Sequence, residues 1–249
     1  MKRIKILDCT LRDGGYALEH KVNKNLPVKT FTRQERIDFI KRIAASNIDI
    51  IELGTVQKTK EDKRDLAIYP SIEDLSNELK GDGIRQDCAA FFRGPDIQMS
   101  EIPEWREGLC EVIRLCLRHS ELKKSLDYCY KLIEKGYKVS VQPSVTMRYT
   151  ERELYEVIEA ANDMNAYAVY FVDSYGYMTP ADVKRFVSMF GAELNGNIQI
   201  GFHAHNNLNF AVANVIELLK NLGERKIIID SCCLGMGQGA GNLQTEVIA

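Results

Sequence analysis

The sequence predicts an α/β chain closed into a (β/α)8 barrel of the TIM-barrel type. Three observations carry that expectation. Short β-branched runs recur eight times, each followed by a stretch with helical spacing, which is the pattern of parallel strands joined by crossover helices. The runs are nearly continuous in apolar residues rather than alternating, as in strands covered on both faces. The length, 249 residues, is that of one such barrel. A doubly wound open sheet is the competing architecture, but no GxGxxG follows the first run. The whole chain, 1–249, reads as one catalytic domain, with no repeat beyond the βα period and no linker.

The strand candidates, in order, are IKILDC (4–9), IDIIELG (48–54), RQDCAAFF (85–92), EVIRLCL (111–117), KVSVQPSV (138–145), YAVYFVD (167–173), IQIGFHAH (198–205) and KIIIDSCC (226–233). Helix starts are marked by capping-box spacings at Thr32/Glu35 and Thr150/Glu153, and by Thr179, Pro180 and Asp182. Gly136 and Gly223 suit left-handed helix ends. In the third unit, GPDIQMSEIPEWREG holds Pro95 and Pro103, so a short or irregular helix is expected there. Only LQTEVIA follows Asn242, which predicts a truncated eighth helix. Either the protein continues beyond residue 249 or a second subunit supplies the cover. Without it, an apolar strip on the outer face of the last and first strands, including Leu7 or Cys9, is expected.

Thirty-three Lys plus Arg against 35 Asp plus Glu give a net charge of -2, which offers nucleic acid and anionic membranes no attraction. MKRIKILDCT has no apolar signal core, and AYAVYFV is too short to span a bilayer. Seven cysteines without a CxxC pair suit free thiols in a reducing cytoplasm.

In a parallel barrel, chemistry gathers at the C-terminal ends of the strands. His203 and His205 stand two apart on a strand, so both imidazoles share one face. They are either hydrogen-bonded cleft residues or ligands of one cation, and the chain has only four histidines in all. A divalent ion on two imidazoles needs a carboxylate, for which Asp8 and Asp13 at the end of the first strand are the candidates. Asp13 is expected in a tight turn before Gly14 and Gly15. Arg12 is a permanent cation beside it, able to stabilise an oxyanion or to pair with Glu52. GMGQGAGN (235–242) is a glycine loop that allows close backbone approach to a ligand, and it lacks the GK[ST] of a P-loop.

DCTLRDGG, IELG, VDSYG, FHAHNN and GMGQGAGN, in that order, resemble the HMG-CoA lyase-like (DRE-TIM) metal-dependent barrel superfamily. It includes 4-hydroxy-2-oxovalerate aldolases, HMG-CoA lyase, isopropylmalate synthase and homocitrate synthase. The resemblance runs from Asp8 to about Glu246. It implies that Asp13, rather than Asp8, joins His203 and His205 as a metal ligand, and that Arg12 stabilises an enolate oxygen. It further implies that Ser174 meets the substrate carboxylate, that Asn242 lies at or beside the metal, and that Glu52 holds Arg12. RDGGY departs from the RDGEQ of acyl-CoA-condensing synthases, and the glycine loop lacks the cysteine of HMG-CoA lyases. The resemblance is therefore closest to the hydroxy-oxo-acid aldolases, although Tyr16 stands where they carry a catalytic histidine.

The expected activity is metal-dependent cleavage or formation of a carbon–carbon bond in a 4-hydroxy-2-oxo acid, through a pyruvate enolate stabilised by one Mn2+, Mg2+, Co2+ or Zn2+ ion. An acyl-CoA-condensing synthase is the alternative. His20, in the loop after the first strand, is the expected base, with Tyr16 or a hydroxide on the metal as substitutes. The substrate is a small 2-oxo acid, and a homodimer or larger oligomer is expected. A metal-dependent hydrolase, a non-haem iron oxygenase and a non-catalytic relic barrel are the other classes weighed.

Overall fold

A computed structural model describes residues 3–78, 84 and 86–249. Eight parallel strands form a closed ring: β1 (Ile4–Asp8), β2 (Ile50–Val56), then β4 (Asp87–Phe92), β5 (Val112–Leu117), β6 (Lys138–Pro143), β7 (Ala168–Asp173), β8 (Gln199–Ala204) and β9 (Ile227–Ser231), with β1 pairing both β9 and β2. β3 (Ile68–Tyr69) pairs with Thr55 and Val56, beside the upper part of β2 that β1 is too short to reach. All eight strand expectations lie on these strands, and Arg85, the first residue of the third, lies outside the described residues.

Strand alternation sorts the core into two shells. Leu7, Cys9, Ile50, Ala89, Val112, Ala168, Tyr170, Val172, Ile228 and Cys232 fill the barrel interior. The intervening strand residues face the helices and join a larger cluster with Leu154, Phe186, Phe190 and Leu218. Tyr170 fits inside only because Gly201 opposite has no side chain; a Cβ there would stand 2.3 Å from the ring.

The helices follow their start signals. Capping boxes open α2 (Arg33–Ala44) at Thr32, α5 (Glu151–Asp163) at Thr150 and α6 (Pro180–Glu193) at Thr179. A short α3 (Ile72–Asn77) starts on Ser71, and Gly136 and Gly223 have φ of 89° and 58°, after α4 (Leu122–Glu134) and α7 (Ala211–Lys220). The proline-containing third unit forms a single 3-10 turn, Met99–Glu101.

Two expectations fail. The stretch after β1 is no loop: Thr10–Asn23 is helix α1, and Asp13, Gly14 and Gly15 lie within it. Nor does the short α8 (Thr245–Ile248) leave a bare strip on β1 and β9. Leu7 and Cys9 point into the barrel, and the outward-facing Ile6, Asp8, Ile229 and Ser231 are all buried. Thr245 Oγ1 donates to Asp8 Oδ2 at 2.9 Å, so one helical turn seals that face. No helix among the described residues is long and apolar enough to cross a membrane.

Candidate active site

Asp8 ends β1 and starts α1. Its carboxylate accepts from Thr10 N and Thr10 Oγ1, both at 3.0 Å, turning the chain into the helix over the barrel mouth. Arg12 and Asp13 therefore sit in the first turn of α1, where the helix dipole favours a carboxylate. Gly15 allows this placement, since a Cβ there would meet the Leu66 carbonyl oxygen at 2.0 Å.

His203 and His205 come from the end of β8, their rings 5.1 Å apart and nearly perpendicular. One ligand atom from each of Asp13, His203 and His205 lies within 4.8 Å of the others. Ligands at about 2.1 Å from a shared ion stand about 3 to 4 Å apart, so small side-chain shifts complete such a set. Arg12 and the two imidazoles outweigh burial and hold Asp13 below the usual carboxylate range. Burial, aided by Arg12 and His205, holds His203 well below the usual imidazole value, leaving it neutral as a ligand must be.

Asn242 completes the arrangement. It bridges to His205 through the backbone, and its Nδ2 donates to Asp13 Oδ2 and, at 3.0 Å, to Met236 O. Its Oδ1 is buried without a partner, an acceptor that a cation or a bound donor would satisfy. Gly237 lets the glycine loop close over this corner, because a Cβ there would lie 2.6 Å from Asp13 Oδ2. A divalent cation fits these donors. A second group, Cys9, His203 and Asp230, is also compact. It is poorer, since Arg114 and His203 already engage Asp230 and burial pushes the Cys9 thiol well up.

Beneath the mouth runs a buried chain of ion pairs. Arg12 Nη1 donates to Asp13 at 2.8 Å and its Nε to Glu52 Oε2 at 2.6 Å. Glu52 Oε1 accepts from Arg114 Nη1 at 2.6 Å, Arg114 Nη2 donates to Asp230, and Asp230 Oδ2 pairs with His203 Nδ1 at 2.9 Å. Gln142, with its amide oxygen inward, accepts from Arg114 Nε at 2.7 Å. Every link is almost wholly shielded from water. Sequence reasoning reached Arg12 and Glu52 but missed Arg114 and Asp230. The signal was available: each is a charge at an inward position of an otherwise apolar strand, VIRLCL and IIIDS, and such a charge requires a buried partner.

The remaining candidates divide. Ser174, at the end of β7, accepts from Val145 N at 2.9 Å and so fixes the β6 loop, where Val145 has φ 53°. Tyr16 stands one turn beyond Asp13, edge-on to Phe91, with Arg12 5.7 Å and Arg93 3.8 Å from its ring centre. Its hydroxyl is buried without a well-formed hydrogen bond, and burial pushes the phenol up against the pull of Arg93 and Arg12. His20 is exposed, seven residues along α1 from Asp13, a rise of about 10 Å.

A family model described as HMGL-like matches residues 113–249. The 4-hydroxy-2-oxovalerate aldolase of Roseiflexus sp. (strain RS-1) is 29% identical over 251 residues, covering 100% of this chain and 70% of the relative. That of Chloroflexus aurantiacus is 28% identical, covering 100% and 69%. The 2-isopropylmalate synthase of Acetivibrio thermocellus is 28% identical, but the match covers 48% of that protein. Among solved structures, the N-terminal domain of a Bacteroides vulgatus protein described as an aldolase superposes with a TM-score of 0.76 at 24% identity, over 98% of this chain and 77% of the other. A hydroxymethylglutaryl-CoA lyase from Pseudomonas aeruginosa gives 0.73 at 17% identity, over 99% and 84%. These structures share the fold.

Proposed function

The chain belongs to the HMGL-like family, and from that premise we propose that it is a divalent-metal-dependent carbon–carbon lyase acting on a 4-hydroxy-2-oxo acid, releasing or consuming pyruvate. The observation that carries the reading is the convergence of Asp13, His203 and His205 beside an arginine whose Nη2 has no acceptor among the described residues. The names of the relatives support the aldolase branch over the synthase, which matches over less of its length.

Charge counting favours the same substrate. Asp13, Glu52 and Asp230 face Arg12 and Arg114, an excess of one negative charge to which imidazoles that ligate a cation add nothing. A divalent ion turns this into one positive charge, and the carboxylate of an oxo acid neutralises it. An anionic small molecule is therefore the ligand that such a buried site accepts at least electrostatic cost.

Asp13, His203 and His205 would hold the ion, with Asn242 Oδ1 alongside. When bound, Mn2+, Mg2+, Co2+ or Zn2+ supplies positive charge where the 2-oxo oxygen gains electron density as the C3–C4 bond breaks. Arg12 adds a second partner. Its Nε and Nη1 are taken by Glu52 and Asp13, while Nη2 has no acceptor among the described residues. The guanidinium is thus locked in place before substrate arrives, and a donor so preorganised contributes about 100-fold or more to rate. Ser174 lies at the mouth to meet the substrate carboxylate. Tyr16 takes the proton-transfer role that the sequence assigned to His20. Its hydroxyl is within the site and makes no well-formed hydrogen bond, whereas His20 faces solvent. In the condensing direction the phenol protonates the aldehyde oxygen, and in cleavage the phenolate removes the same proton.

Incubation with 4-hydroxy-2-oxovalerate and a divalent ion should release pyruvate, read by coupling to lactate dehydrogenase. Thiol release from acetyl-CoA with a 2-oxo acid, in the absence of such cleavage, would move the protein to the synthase branch. A cytoplasmic homodimer or larger assembly belongs to the same proposal, and light scattering tests the assembly.

A further inference from the structure

Beyond Tyr16, away from the proposed ion, the mouth carries polar atoms that the reaction described above does not use. Arg93 follows β4 and stacks its guanidinium on the Tyr16 ring at 3.8 Å. Its Nη2 donates to Glu19 at 2.6 Å, and Glu19 also accepts from Lys63 at 3.0 Å. Two cations thus share one carboxylate, leaving one positive charge over. Arg93 keeps 33% of its side-chain surface exposed. Its Nε is buried without a partner, as are Thr55 Oγ1 and Gln57 Oε1. Thr55 lies opposite Phe91 in the β2–β4 register. Thr55 is wholly buried with its hydroxyl beside that of Tyr16, and neither makes a well-formed hydrogen bond, so both can turn to a ligand.

Resting on the lyase reading above, we propose that the half of the substrate beyond C4 carries an oxyanion, a carboxylate or a phosphate, and that Arg93, with the Thr55 hydroxyl beside it, receives it. Reach supports this. Arg12 and Arg93 flank one ring at 5.7 and 3.8 Å, so their guanidinium carbons are less than about 10 Å apart. An extended carbon chain advances about 1.3 Å per bond. With the C2 oxygen at Arg12 and the C4 oxygen at Tyr16, a group on C5 or C6 arrives within hydrogen-bond reach of Arg93. An alkyl tail there would leave the surplus charge and the Arg93 Nε donor unpaired, which a charged tail satisfies. In cleavage the C4 hydroxyl loses its proton to Tyr16 and C4–O becomes the aldehyde carbonyl. The C3–C4 electron pair passes into the pyruvate enolate, which takes one proton at C3. The oxyanion leaves unchanged on the aldehyde.

The test is condensation of pyruvate with propanal, succinic semialdehyde, glyoxylate and glycolaldehyde phosphate, using the metal-loaded full chain, alongside exchange of the pyruvate C3 protons. We expect the charged aldehydes to exceed propanal in kcat/KM by 10-fold or more, the carboxylates and the phosphate telling the two oxyanions apart. Arg93→Leu should cut the charged-aldehyde value about 10- to 100-fold, the size of a lost charged hydrogen bond, and collapse the preference. Arg93→Lys should restore part of it. Thr55→Val, which keeps shape, gives a second reading should Arg93→Leu fail to fold. Exchange with propanal preferred, or a ratio indifferent to Arg93, overturns this inference alone. Absence of both exchange and condensation overturns the lyase reading and this inference with it.

Discussion

Arg114 Nη1 and Glu52 Oε1 meet at 2.6 Å inside the barrel, both side chains fully shielded from water. Glu52 is thereby shared between Arg114 and Arg12, and Arg114 between Glu52 and Asp230. One guanidinium, without touching the mouth, fixes the arginine proposed to meet the enolate and the carboxylate that holds His203.

Removing that guanidinium leaves two buried carboxylates short of a partner. Arg114→Met should therefore cost about 3–5 kcal/mol of stability, the range for breaking a buried pair from one side. Urea unfolding of the chelator-treated protein measures it. A loss under about 1 kcal/mol would mean that water or Gln142 compensates and that the network does not organise the barrel.

Asp230 accepts from His203 Nδ1, which leaves the Nε2 lone pair for a cation. In Asp230→Asn the amide can donate to Nδ1 instead, moving the ring proton to Nε2. Metal affinity should drop about 10- to 100-fold with the fold retained. Competition with a fluorescent chelator, checked by circular dichroism, reads this; affinity within twofold of wild type would contradict it.

Tyr16→Phe should remove most cleavage activity, about 100- to 10,000-fold, while His20→Ala retains it. Burial raises the Tyr16 phenol above its ordinary value, so the phenolate is scarce at neutral pH. The cleavage rate should accordingly still climb above pH 8. A plateau near pH 7 would indicate an imidazole base.

The two glycines after Asp13 are not equivalent. At Gly15 a Cβ meets the Leu66 carbonyl at 2.0 Å, whereas at Gly14 its one tight contact is the flexible end of Met236, at 3.1 Å, with Phe31 at an ordinary 3.5 Å. Gly15→Ala should destabilise by about 1–3 kcal/mol and weaken metal binding by pushing α1 off its seat. Gly14→Ala should do neither to a comparable degree. Thermal melts and metal titration of the pair test this, and equal effects would refute the steric argument.

The sequence carried the barrel because each strand is a local apolar run and each crossover helix announces its own start, as at Thr150 and Thr179. It carried Asp13, His203 and His205 as neighbours only through strand parity and the rule that barrel chemistry gathers at one end. Three features escaped it, the first through a local ambiguity and the other two through pairings distant in sequence. The helix at Thr10–Asn23 begins on Asp8, whose carboxylate reads equally well as turn chemistry, and two glycines hide its continuation. The inward direction of Leu7 and Cys9 depends on register with β9, which no local pattern supplies. Arg114 and Asp230 are 116 residues apart and become partners only when the ring closes.

The central claim is that pyruvate is enolised at Asp13, His203 and His205 with Arg12 as the fixed cation. Proton NMR of pyruvate in deuterium oxide tests it without knowledge of the aldehyde. Loss of the methyl signal is expected with protein and Mn2+, Mg2+, Co2+ or Zn2+, abolished by chelation and slowed at least about 100-fold in Arg12→Met. A folded protein that binds the ion through those three residues yet leaves the methyl protons unexchanged would contradict it.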